Sequence, residues 1–404
     1  MFDSVTFDRS TELPGRYIDL GAVAEALLFY KTTNLMLDGA NLRWLLNSIG
    51  AETTQRLIEL PSVKSYFDTD LFGMDPGRNS IPSHRFIRGT VAPFNDQSKV
   101  RSKEHHIKHH FERALGKSHQ TNRAALQFSK IVKWQKMTER HLPLGDIPSQ
   151  SNSDLNDESL VLQTVIATLK EKVPEFELRG DWRYQLQPLD EGFLIDTNLD
   201  FDRINLEFKK IWPVDYGTLN PTSLLLSLLS ANRALNLSSK HGSDMMVSSA
   251  TSEVMQHKLK DIMGRQVKNQ SEIELFQRIT IGEGRSVREA INSGQRSFDE
   301  FLELMEHASQ FRKWLSDQEP AQSLVQDYYS EMTAGTWAEK LPAKSFRWMF
   351  FTGAGVAADL LIPTGIGTVA GVALSAGDTF LLDKVAKGWK PNQFIEGPLV
   401  DFSS

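Results

Sequence analysis

The densest group of titratable side chains in the chain is Glu104-His105-His106-Ile107-Lys108-His109-His110. Four of the ten histidines fall within these few residues. On a helix, side chains four positions apart share a face. His105 with His109, and His106 with His110, therefore make two pairs of the kind that hold a divalent metal ion through imidazole nitrogens. Two imidazoles leave a coordination shell incomplete. The H-E-x-x-H pattern of a metalloprotease helix is not met, because His106 stands where the glutamate is required. Lys103, Lys108 and Arg113 also oppose a cation. The competing reading is a solvated basic helix face, suited to an acidic partner, a phosphate or a lipid headgroup.

Other stretches carry weaker chemistry. Asp196, Asn198, Asp200 and Glu207 fall at the first, third, fifth and twelfth positions of a calcium loop, but Phe201 occupies the position that needs glycine. Alternation of Phe193, Ile195 and Phe201 favours a strand edged with acids over a cation site. Gly353-Ala354-Gly355-Val356-Ala357-Ala358 fits a dinucleotide-binding turn, yet too little chain follows to complete the βαβ series that turn belongs to. Neither G-x-S-x-G nor G-x-x-x-x-G-K-[ST] occurs, so no nucleophile elbow and no phosphate-binding P-loop is spelled out.

These residues need elements to carry them. Residues 1–20 hold at most one strand, and three short helices are expected up to Leu60 from AVAEALLFYK, NLRWLLNSIG and AETTQRLIEL. VKSYFD and HRFIRGTV are short strand candidates. Ser102 to His141 reads as one or two long helices, with Ile107, Phe111 and Leu115 four apart on one face. The polar run SQSNSDLNDES is expected to be a linker. Two alternating runs, Glu175–Leu189 and Gly192–Trp212, give the strongest hairpin signal. Beyond Tyr216 the pattern is helical. Ser286, with Glu289 three residues on, predicts a capping box. The resulting division is a mainly helical domain over 1–148, a polar linker over 149–159, a small α/β element over 160–215, a helical domain over 216–340, and a glycine-rich apolar hairpin with tail over 341–404.

That last segment is unlike the rest of the chain. Leu360 to Gly377 carries no charge, close to the length of a membrane-spanning helix. Gly367, Gly371 and Ser375 fall on one helical face, where small residues let two backbones approach. Trp348 and Trp389 flank the hairpin as interfacial anchors would. The layout resembles that of pore-forming bacterial toxins and some bacterial antiviral effectors. The resemblance covers about forty residues in arrangement alone and transfers no catalytic residue.

Composition sets the outer bounds. The 404 residues suffice for two or three cored domains. With 45 lysines and arginines against 51 aspartates and glutamates, the net charge of −6 argues against general nucleic-acid binding through bulk charge, though a local basic patch is compatible with it. The absence of cysteine removes disulfides, thiolate metal sites and cysteine nucleophiles. The acidic start of the chain lacks the apolar core of a secretory signal, which points to a cytoplasmic protein that meets a membrane, if at all, through its C-terminal part. The fold expected is mainly α (α+β), with a small antiparallel β element near 175–212. Two functional readings follow. One is a non-enzymatic effector or interaction protein, membrane-active or oligomeric through residues 346–383. The alternative is an intracellular enzyme or scaffold in which that hairpin is buried core and the histidine cluster holds a divalent metal.

Overall fold

A computed structural model describes residues 1–9, 17–75, 84–90, 102–178, 180–189, 192–212, 217–281, 285–317, 324–333 and 391–404. It is mainly helical with additional sheets, as expected, and separates into two compact units, Phe2–Asn269 and a second comprising Met1 with Gln270–Ser404. The boundaries drawn from composition at 148, 160 and 216 all fall inside the first unit.

The first unit is built on a parallel sheet. The chain enters as β1 (Phe2–Phe7), crosses through α1 (Leu20–Phe29) to β2 (Tyr30–Leu37), and crosses again through α2 (Gly39–Glu59) to β3 (Val63–Asp68). All three strands are parallel, with Val5 opposite Thr33 and Leu35 opposite Ser65. A short β6 (Lys133–Gln135) joins β3 at one edge, and β9 (Asp244–Met246) joins β1 at the other. The strand order is therefore β6-β3-β2-β1-β9.

The N-terminal pattern differs from expectation at β2. The run AVAEALLFYK reads as helix to its end, yet Tyr30 and Lys31 already belong to β2. In fact every residue of α1 is buried, and β2 is buried over Thr33–Leu37. Strands and helices covered on both sides lose the alternation that separates the two periods. Asp19 ends the ambiguity at one end by accepting the Ala22 N–H at 2.9 Å. At the other end Asp38 caps α2, and Gly50, with φ of 77°, kinks that helix where two shorter ones were expected.

Helices cover both faces. Phe67 and Asp68 are consecutive in β3 and so point to opposite sides. Phe67 meets the ring of His110 on α3 (Lys103–Leu115). Asp68 pairs with Arg233 on α8 (Leu226–His241). Helix α3 packs on α4 (His119–Ile131), which leads into β6. Two antiparallel hairpins are also present, β4 (Asp70–Asp75) with β5 (Arg85–Thr90), and β7 (Tyr184–Pro188) with β8 (Phe193–Thr197). The second is the small antiparallel element expected near 175–212.

Two local expectations are corrected. The second strand of that hairpin stops at Thr197, and Phe201–Ile211 is helix α7, capped by Asp200 through the Arg203 N–H. Its buried residues, Ile204 and Phe208, are four apart, a helical spacing that the preceding strand pattern obscures. Residues 149–159 are not a free linker. They include the end of α5 (Ile147–Asp154), a turn, and the start of α6 (Glu158–Lys172). Asp146 and Asp157 cap these helices, and the buried Ser151 hydroxyl bonds the Ile147 carbonyl, so the polar residues serve caps and turns.

The second unit is helical: the end of α10 (Lys260–Thr280), then α11 (Val287–Asn292), α12 (Phe298–His307), α13 (Ser309–Asp317) and α14 (Leu324–Thr333). The capping box of Ser286 and Glu289 is present. Residues 391–404 return to this unit, where Phe394 stacks on Phe311 at 4.9 Å and Arg296 donates to the carbonyl of Phe402. The hairpin expected over 346–383, with Gly367, Gly371, Ser375, Trp348 and Trp389, lies outside the described residues, as does the 353–358 turn. Among the described residues no helix is long and apolar enough to cross a membrane.

Candidate anion-binding site at the carboxyl edge of the parallel sheet

Ligands of open parallel sheets bind beyond the carboxyl ends of the strands, where successive crossovers leave a crevice. Here that edge is crowded with charge. Asp8 follows β1, Asp38 follows β2, Asp68 closes β3 and Asp70 opens β4. Above them lies a cavity of about 120 Å³. Arg9 follows β1 on one side, and Asp38, Gly39 and Arg43 come from the start of α2. The turn from Phe67 to Leu71 forms a further wall, and His106 and His110 of α3 complete the lining.

The carboxylates at this edge already have work inside the protein. Asp38 accepts the N–H groups of Ala40 and Asn41 at 2.7 and 2.8 Å, while the Asn41 side chain returns a bond to the Asp38 backbone. Asp68 accepts the Asp70 N–H at 2.7 Å and Arg233 Nη1 at 2.8 Å. Asp70 accepts the Met137 N–H at 3.0 Å. Arg233 also grips Asp8 through Nε and Nη2, the latter at 3.1 Å. Burial by itself would lower the Arg233 pKa, but Asp8 and Asp68 outweigh it and hold the guanidinium protonated. Burial raises the Asp68 carboxyl to about 6, with Arg233 pulling the other way.

The cations of the cavity are less well matched. Arg9 approaches Asp38 at 4.0 Å and lies over the Tyr17 ring. Arg43 donates to His110 Nδ1 at 2.8 Å, a neutral acceptor. Burial lowers the Arg43 pKa, with Arg113 and Arg9 adding to that and Asp38 opposing it. His110 is driven down to about 3, first by burial and then by Arg43. With Nδ1 accepting, the neutral ring carries its proton on Nε2. Gly39 makes this placement feasible, because a Cβ there would collide with the imidazole of His110.

The four histidines separate by face. His106 and His110 are buried and line the cavity, whereas His105 is exposed and His109 half-buried. His106 sits edge-on to Trp134 at 5.9 Å, and His109 edge-on to His110 at 5.3 Å. Among the described residues no three His, Asp or Glu side chains converge as a metal ion would need. The calcium-loop residues are used otherwise: Asp196 pairs with Arg183 at 3.4 Å, Asn198 ties two backbone segments together, and Asp200 caps α7.

The histidine helix was therefore visible in the sequence, but Arg9, Arg43, Asp8, Asp68 and Arg233 were not. A signal did exist for the strand ends. The triplets Thr6-Phe7-Asp8, Met36-Leu37-Asp38 and Tyr66-Phe67-Asp68 recur at a fixed interval, about the length of one βαβ crossover. Comparisons with family models, with curated proteins and with solved structures found no match to this chain.

Proposed function

We propose that the unit Phe2–Asn269 binds a phosphoryl group at the carboxyl edge of its parallel sheet, between Arg9, Arg43 and the imidazoles of α3. The observation that carries this reading is the imbalance of pairing. Asp8 and Asp68 share the Arg233 guanidinium, while Asp38 and Asp70 accept backbone N–H groups. Among the described residues, the ion pairing of Arg9 and Arg43 amounts to one 4.0 Å approach. Arginine's planar fork suits phosphate oxygens, and the cavity is the size of such a group with a few attached atoms. Calorimetric titration of the full chain with inorganic phosphate and pyrophosphate tests this. Binding is expected, and Arg43→Ala is expected to weaken it about tenfold or more, the loss of one charge-assisted contact. Absence of binding, or binding indifferent to Arg43→Ala combined with Arg9→Ala, contradicts it.

A second proposal rests on the sequence of residues 346–383 and is independent of this cavity. The uncharged, small-residue stretch supports an effector or interaction role through a membrane or a second copy of the chain, and liposome leakage by the full chain tests it. The metal reading of the histidine helix is tested by elemental analysis of the purified protein. Bound zinc, manganese or iron that disappears in His106→Ala with His110→Ala would support it.

A further inference from the structure

The segment from Ser102 to His141 holds nine lysines and arginines against three glutamates, within a chain whose total charge is −6. The fold gathers these charges. Helix α3 packs against α4, Lys103 Nζ bonds the Val132 carbonyl at the far end of α4, and β6 continues from there along the sheet edge. Their buried side is apolar, with Ile107, Phe111, Ala125 and Phe128. Arg113, Lys117, Arg123, Lys130, Lys133 and Lys136 are exposed. Arg113, exposed on α3, is near enough to Arg43 of the cavity for the two charges to oppose each other. Trp134 is half-buried on the α3 face of β6, opposite Phe67 and with its ring against His106 of the cavity lining, whereas Lys133 lies opposite Tyr66 on the other face of the sheet.

We infer that α3, α4 and β6 form a binding surface for a single-stranded nucleic acid, whose backbone phosphates meet these lysines and arginines, with Trp134 stacking a base. One backbone phosphate then occupies the cavity, and this last contact rests on the phosphoryl-site reading. Single strands are recognised by basic grooves interleaved with aromatic rings. A duplex would offer no free base face to Trp134. A lipid surface would ask for an apolar stripe, and the exposed apolar residues of α3 and α4 are Leu115 and Leu126 among many charges. The net negative charge of the whole chain does not oppose a local patch, because the field of a cluster dominates within a screening length of about 10 Å.

The test uses fluorescence anisotropy of the full chain with short labelled single-stranded RNA and DNA, the matching duplex, and flotation with phosphatidylglycerol vesicles. Lys117→Glu with Arg123→Glu and Lys130→Glu is expected to weaken single-strand binding at least about tenfold. It should also flatten the dependence of log affinity on log salt by about two, the value for three lost phosphate contacts on a single strand. Inorganic phosphate binding should be unchanged in this variant. Trp134→Ala is expected to cost about five- to tenfold with an unchanged salt slope, and Trp134→Phe to recover most of it. If the wild type binds phosphate but no single strand, or binds vesicles in preference to it, the surface is not a nucleic-acid site and the cavity reading stands. If single strands bind, the triple variant weakens them and phosphate does not bind, the cavity contact is wrong and the surface stands.

Discussion

Arg233 is the residue on which the sheet edge depends most. It joins Asp8 and Asp68, at the ends of the two strands that flank β2, to helix α8, and its side chain and that of Asp8 are each about 15% exposed. Removing one partner of such a group leaves buried charge without compensation, which costs about 3–5 kcal/mol. Arg233→Ala is therefore expected to lose that much in denaturant melts. Adding Asp8→Asn should restore part of it, since the double variant strands fewer charges. Gly39 gives a smaller effect with a clear cause. Gly39→Ala forces the His110 ring to move and should cost about 1–3 kcal/mol, as overpacking does. In a His110→Ala background the same change should be nearly neutral, and a thermal-melt cycle reads the coupling. His110 also sets a pH dependence. Its folded pKa is depressed to about 3, from the ordinary imidazole value of 6.5. Between those limits the unfolded chain binds the extra proton, so stability is fully present above 6.5 and is lost as pH falls toward 3. Asp68, raised to about 6, acts in the opposite sense between 3.8 and 6. The His110 contribution to the slope of stability against pH lies between about 3 and 6.5, and His110→Gln should flatten the slope there.

At the level of elements, the helix start at Asp38 is where structure and binding compete for the same groups. The carboxylate caps α2 and places negative charge beside Arg9. Asn caps about as well as Asp, so Asp38→Asn should change stability by less than about 1 kcal/mol while tightening phosphate binding, measured by the same calorimetric titration. The elements also explain what the sequence disclosed. Caps were legible, as at Ser286, because their signal is local. The hairpin β7–β8 was legible as far as Thr197 because one face is wet and the residues alternate. Of the parallel sheet, β1 and β3 (VKSYFD) were legible as strands, whereas β2 was not, since it is buried over most of its length and reads like the helix before it. The recurrence of Asp8, Asp38 and Asp68 would have exposed it, because equal crossovers place equal strand ends in register. Spacing alone shows that His106 and His110 share a face, as do His105 and His109, and only packing shows that the first of these faces is the inner one. Arg233 lies far from Asp8 along the chain, and no local pattern connects them.

For the molecule as a whole, the two units carry separate roles in this account. The cavity and the basic surface belong to Phe2–Asn269, which has its own core running from Met36 through Tyr184 to Met255. A fragment of those residues is expected to melt cooperatively and to bind phosphate as the full chain does, the behaviour of a domain with an independent core. The second unit receives residues 391–404, held by Arg296 and by Phe394. The effector proposal rests on the sequence of residues 346–383 and the anion-binding proposal on the first unit, so each can be lost without the other. The most direct measurement is a crystal structure of the full chain soaked with tungstate, a heavy phosphate analogue located by its anomalous signal. The account predicts a peak between Arg9 and Arg43, within hydrogen-bond reach of His110, that vanishes in Arg43→Ala. Peaks confined to other surfaces, with this cavity holding water alone, would contradict it.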